Sequence, residues 1–176
     1  MVAIIAAIVA LLQGGSLESL ANTKFRAVPI LLLGLALQIV LGFWSPTWMT
    51  DGAGLATLIV SNVLVLWWLL MNRSLPGLLV AAVGLLMNLA VISANGAMPV
   101  SEDAVRTAGG DELEIEEGDF KHQELDDDTR LGFLGDVIPI PRVGIWSAGD
   151  LVLAAGLGLL AYRQTRWGPR AGSASG

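Results

Sequence analysis

Four apolar runs, at about 27–44, 52–71, 75–94 and 145–163, limit what this chain can fold into more than any other feature. Each is about 18 to 20 residues long, which at about 1.5 Å per residue matches the thickness of a bilayer's hydrocarbon core. In lipid a backbone must satisfy its own hydrogen bonds, and a helix does so within one segment. A further run fills about 1–20, where a short apolar start is followed by Gln13-Gly14-Gly15. A cleaved leader would need a basic start and a small-residue cleavage site. Met1-Val2-Ala3 has no positive charge and Gln13-Gly14-Gly15-Ser16 is a poor site, so the expectation is a retained first helix. The reading is an all-α fold: an integral membrane bundle of about five transmembrane helices. It forms one membrane domain over 1–163, with a long acidic extracytoplasmic loop at 95–144 and a flexible cytoplasmic tail at 164–176.

Charge placement sharpens this picture. The net charge is −6, yet thirteen of the sixteen acidic residues lie between Glu102 and Asp136. Outside that stretch the acids are Glu18, Asp51 and Asp150. With five spans, Lys24, Arg26, Arg73, Arg163, Arg166 and Arg170 all fall on one side. By the positive-inside rule that side is cytoplasmic, and the N-terminus and acidic loop are outside. Trp44, Trp48 and Trp146 fall at the expected outer interface, and Trp67, Trp68 and Trp167 near the inner one, where amphipathic rings sit well. Trp67 and Trp68 could equally pack between helices.

Within the loop, residues 111–128 are crowded with acid, a pattern typical of solvated segments. Residues 131–142 are apolar and contain Pro139 and Pro141, which exclude a regular helix and favour extended backbone. This piece should lie on the outer helix ends. Ser101-Glu102-Asp103 reads as a helix start.

Polar side chains inside apolar runs are the candidate site. Gln38, Asn62, Asn88 and Asp150 interrupt them. Asn88 and Asn95 are spaced to share a helix face, as are Ser147 and Asp150. An intramembrane carboxylate is costly and usually faces the bundle interior or a wet cavity. Asn88, Asn95, Asp136, Ser147 and Asp150 are therefore the candidates for a ligand or ion pocket open to the outside. The competing account makes them interhelical hydrogen-bond partners, with Asp150 capping its helix. His122, with Glu124, Asp126 and Asp128, could contribute to a divalent-metal site, but the spacing matches no calcium loop or zinc helix, and a solvated loop accounts for it better. Gly77, Ala81 and Gly84, and Ala154, Gly156 and Gly158, permit close helix approach.

Several function classes fall away. There is no cysteine, hence no disulfide or thiolate chemistry. No nucleotide-binding glycine loop or nucleophile elbow is present. No basic patch supports nucleic-acid binding. No catalytic residue is assigned, and the sequence leaves the cofactor and any metal open.

Gly14-Gly15 and Asn95-Gly96-Ala97-Met98-Pro99-Val100 carry a resemblance to a family of small bacterial multi-spanning membrane proteins of unknown function. It continues through Leu134-Gly135-Asp136-Val137-Ile138-Pro139 and Ser147-Ala148-Gly149-Asp150, and covers nearly the whole chain. It implies the architecture and a bacterial cytoplasmic membrane, and no activity. The expectation is a non-enzymatic membrane protein, an accessory subunit or binding module with membrane lipid and a protein partner as its contacts. The alternative is a small transporter or membrane-embedded enzyme using the pocket around Asp150.

Overall fold

The computed structural model describes residues 11, 16, 18, 21–43, 51–110, 112–113, 115 and 119–167. Most of the run at 1–20, the rings of Trp44 and Trp48, part of the acidic stretch, and the tail from 168 lie outside these.

Three apolar runs become helices α1 (Val28–Phe43), α2 (Asp51–Met71) and α3 (Leu78–Asn95). Asn72 joins the first two. Its Nδ2 donates to the carbonyls of Trp68 and Arg26, and its Oδ1 accepts from the Arg26 N–H at 2.7 Å. One buried amide thus closes the end of α2 and fixes where the chain enters α1. Gly77, at φ 87°, turns the chain into α3, and Gly96, at φ 96°, ends that helix. Both angles lie in the left-handed region that glycine adopts at little cost.

Beyond α3 the chain stops being helical in the way the apolar runs suggest. Strand β1 (Met98–Val100) leads into a short helix α4 (Glu102–Ala108), and Ser101 caps it by accepting from the Ala104 N–H. Strands β2 (His122–Glu124), β3 (Asp136–Ile140) and β4 (Gly144–Ser147) follow, and then helix α5 (Ala148–Trp167). The four strands form one mixed sheet in the order β2-β1-β3-β4. β1 runs parallel to both neighbours, while β3 and β4 form an antiparallel hairpin. Pro99 has no N–H to contribute, and β1 registers with β3 only at Val100↔Asp136.

The chain is therefore not an all-α bundle of five spans. Its described residues hold five α-helices and a four-stranded sheet, and only Gly52–Met71 and Leu78–Asn95 are long and apolar enough to cross a membrane. The apolar part of α1, Val28–Leu41, is too short. The run at 145–163 divides: its first residues are drawn into β4, because Ile145 and Trp146 pair with Pro139 and Ile138. The helix that remains carries Asp150, Arg163, Gln164 and Arg166, which lower its hydropathy. It also reaches Trp167, into the segment read as a flexible tail. Arg163 and Arg166 lie 5.3 and 5.1 Å from the Trp167 ring centroid, and Gln164 and Thr165 are buried, so the last turn is packed. The loop at 95–144 folds as sheet and helix because its apolar residues find non-local strand partners.

The tightest seam joins α3 and α5. A Cβ on Gly84 would strike the backbone of Gly149 and Leu153, and one on Gly156 would strike Ala81 and Gly77. Only glycine lets the two backbones come this close. One apolar cluster, with Trp68, Leu78, Ala81 and Leu160, fills the helix ends near Arg26 and Arg73. The other, with Leu41, Leu58, Val91, Ile92 and Met98, lies beneath the sheet. The candidate site adjoins this second cluster.

Candidate functional site

Helix α5 begins with a reciprocal cap. The Asp150 N–H donates to Ser147 Oγ at 2.9 Å, and the Ser147 N–H donates to Asp150 Oδ2 at 3.1 Å. Each side chain satisfies a backbone donor that the helix start would otherwise leave open. Asn88 reaches across from α3. Its Nδ2 donates to Asp150 Oδ1 at 2.7 Å, and its Oδ1 accepts from Ser147 Oγ at 3.0 Å. The three side chains close into one network, with Ser147 fully buried. The close approach of Gly84 to Gly149 is what brings Asn88 within reach.

The sheet adds a second carboxylate. β3 and β4 pair Asp136 with Ser147 and Ile138 with Trp146, so Val137 is an extra residue in the ladder. Such a bulge bends the strand and re-aims its side chains. It sets Asp136 beside the α5 cap. Asp136 Oδ1 is buried and has no hydrogen-bond partner among the described residues. Burial, and next the negative charge of Asp150, push the Asp136 carboxyl up to about 6, against a smaller opposing pull from His122.

These groups line a cavity of about 270 Å3 between the helices and the sheet. The helices contribute Gln38, Asn62, Asn88 and Asp150, with Leu58 and Ile92 as apolar wall. The cap contributes Met98, Lys121, His122 and Asp136. His122 is held by Asp119, whose Oδ2 lies 2.8 Å from Nδ1. Burial drives the Asp119 carboxyl upward, but hydrogen bonds from the His122 ring and the Lys121 N–H outweigh it, leaving that group below the usual carboxylate range. A second cavity of about 360 Å3 shares His122 and is lined by Gly52, Leu55, Ala97 and Phe120.

Of the five sequence candidates, Asn88, Asp136 and Asp150 line the first cavity, and Ser147 lies behind it as the cap. Asn95 does not line it. Its Nδ2 donates to the carbonyls of Val91 and Arg130, and its Oδ1 accepts from the Arg130 N–H, so it pins the segment before β3. Gln38 and Asn62 were visible as interruptions of apolar runs, yet nothing in the sequence joins them to Asp136. Lys121 and His122 read as part of a solvated loop. The parallel pairing of β2 with β1 carries them to the cavity, and sequence spacing holds no signal for it. Among the described residues no three His, Asp or Glu side chains come together as metal donors. Asp126 instead accepts from Thr129 Oγ1 and the Asp128 N–H in a local turn.

Neither the curated proteins nor the solved structures contain a match to this chain. A family of unknown function (DUF5317) matches residues 22–162, which include every helix and strand described except the last turn of α5, and the chain belongs to that family.

Proposed function

We propose that the chain is a non-enzymatic membrane protein that acts as a binding module, its cavity holding a small polar ligand where the apolar helices meet the sheet. One observation carries this reading: Gln38, Asn62 and Asn88 from three apolar helices and Asp150 from α5 converge on one space with Asp136 and His122. Polar groups in apolar helices are costly, and their convergence suits a ligand better than scattered pairwise contacts do.

Membrane placement rests on the outer surface of the helices. Leu79, Val83 and Leu86 form one exposed stripe on α3, opposite buried Ala81, Gly84 and Asn88. A helix that is apolar on all sides and still exposed calls for an apolar solvent. The proposed location is a bacterial cytoplasmic membrane, with the sheet and acidic segment outside. In support, Arg26, Arg73 and Arg163 lie by the apolar cluster of Trp68 and Leu160, away from the cavity. The acidic segment suits a basic surface on a protein partner. A small transporter or membrane-embedded enzyme built on the same cavity is the second reading, favoured by Asp136, Asp150 and His122 lying together.

The test is native purification of the full chain from membranes, followed by mass spectrometry of the intact protein. The expected result is a retained small molecule that is lost in Asn88→Leu, or a stoichiometric partner. A chain that emerges alone and empty overturns the reading. Solute flux through proteoliposomes, abolished by Asp136→Asn, would select the transporter instead.

A further inference from the structure

We infer that the cavity takes a small organic cation, a protonated amine, with Asp136 as its counter-ion; this rests on the binding reading above and names the ligand's chemistry. Asp150 has both oxygens engaged, by Asn88 and by the Ser147 N–H. Asn88 uses both ends of its amide within the same network. Asn62 donates from Nδ2 to the Leu58 carbonyl at 2.8 Å, which leaves its own carbonyl oxygen as an acceptor. Asp136 has a buried oxygen without a partner among the described residues. The free atoms on Asp136 and Asn62 are therefore acceptors, to which the ligand must supply donors, while the Gln38 amide can either donate or accept. An ammonium group supplies three donors and no acceptor.

Charge points to the same class. The cavity has Asp136 on β3 and Asp150 on α5, with Lys121 and His122 at the edge of β2. Asp119 offsets any charge on the His122 ring that it holds, and one lysine against two carboxylates leaves one net negative charge. A single positive charge balances it. An anion would meet two carboxylates, and a divalent metal would find too few ligating side chains. A volume of about 270 Å3 admits a small organic molecule of roughly ten heavy atoms. A bound ammonium would also relieve the repulsion between Asp136 and Asp150. Binding should then strengthen as pH rises through about 6, where Asp136 ionises.

The experiment uses the full chain in lipid nanodiscs, titrated separately with methylammonium, ethanolamine, calcium chloride and sodium acetate. Binding is read by calorimetry at pH 7.5 and pH 5. The expected result is that the two amines bind, more tightly at pH 7.5, while calcium and acetate do not bind. Asp136→Asn should lose at least about tenfold in amine affinity, as a charge-assisted hydrogen bond warrants. Its thermal melting without ligand checks that it is folded. Asn62→Leu, at the other free acceptor, should weaken the same amines and serves if Asp136→Asn is unstable. Equal amine affinity in both variants, a preference for calcium or acetate, or no amine binding overturns the inference. If native mass spectrometry finds a neutral or anionic molecule in the cavity, the binding module stands and the ammonium assignment falls.

Discussion

Asn88 Nδ2 and Asp150 Oδ1 meet at 2.7 Å across the seam between α3 and α5, and the same carboxylate caps α5 through the Ser147 N–H. One side chain thus joins two helices and starts one of them. Asp150→Leu leaves the Asn88 amide and the Ser147 N–H without acceptors, and should cost about 1–3 kcal/mol. Asp150→Asn keeps an oxygen and should cost less. Thermal or denaturant unfolding of the purified variants measures the difference. If Asp150→Leu is as stable as the parent, the network is not what holds this end together.

Asp136 gives a pH signature with a definite sign. Its carboxyl is raised from 3.8 to about 6 in the folded chain, so folding favours the protonated form. Its contribution to stability is full below about 4, is lost as pH climbs towards about 6, and levels above that. Asp136→Asn removes the charge and this slope. The variant should be more stable than the parent at pH 7.5 and lose that advantage below pH 4. Melting curves across pH 4 to 8 check this.

The α3–α5 seam has no room for a side chain. A Cβ on Gly84 meets the Gly149 carbonyl and the Leu153 backbone, which cannot move as a flexible side chain would. Gly84→Ala should cost roughly 1–3 kcal/mol, and Gly84→Leu should prevent folding. Yield of folded protein after membrane extraction reports the second.

Asn95 holds the Arg130 backbone through both ends of its amide. Asn95→Leu should free that segment while leaving the cavity groups in place. Limited proteolysis should cut around residues 126–131 faster than in the parent, and the Asp136-dependent pH slope should survive. A lost slope would mean that Asn95 also positions β3.

Helix α3 separates Ser74 from Ser101 and is one of the two helices able to span a membrane. Single cysteines at these positions should label oppositely with an impermeant thiol reagent in intact cells. The expected outcome is labelling at Ser101→Cys and protection at Ser74→Cys. Equal labelling would remove the membrane placement of α3.

The apolar runs at 27–44, 52–71 and 75–94 are legible because a helix hydrogen-bonds within itself, so its existence follows from nearby residues. The helix start at Ser101 is local for the same reason, and so is the exclusion of helix around Pro139. The sequence alone also marks Asn88, Ser147 and Asp150, since polar atoms in apolar runs must find partners. It cannot say which partners. Strand pairing is non-local: Met98 registers with His122 and Val100 with both Glu124 and Asp136. Those pairings turned an expected loop into a sheet, moved the start of the last helix to Ala148, and carried Lys121, His122 and Asp136 to the cavity. The composition that led to an all-α reading was accurate about apolar surface but silent about how far each run would stay helical. Only the tertiary structure decided that, because Ile145 and Trp146 meet their partners in β3 rather than in their own helix.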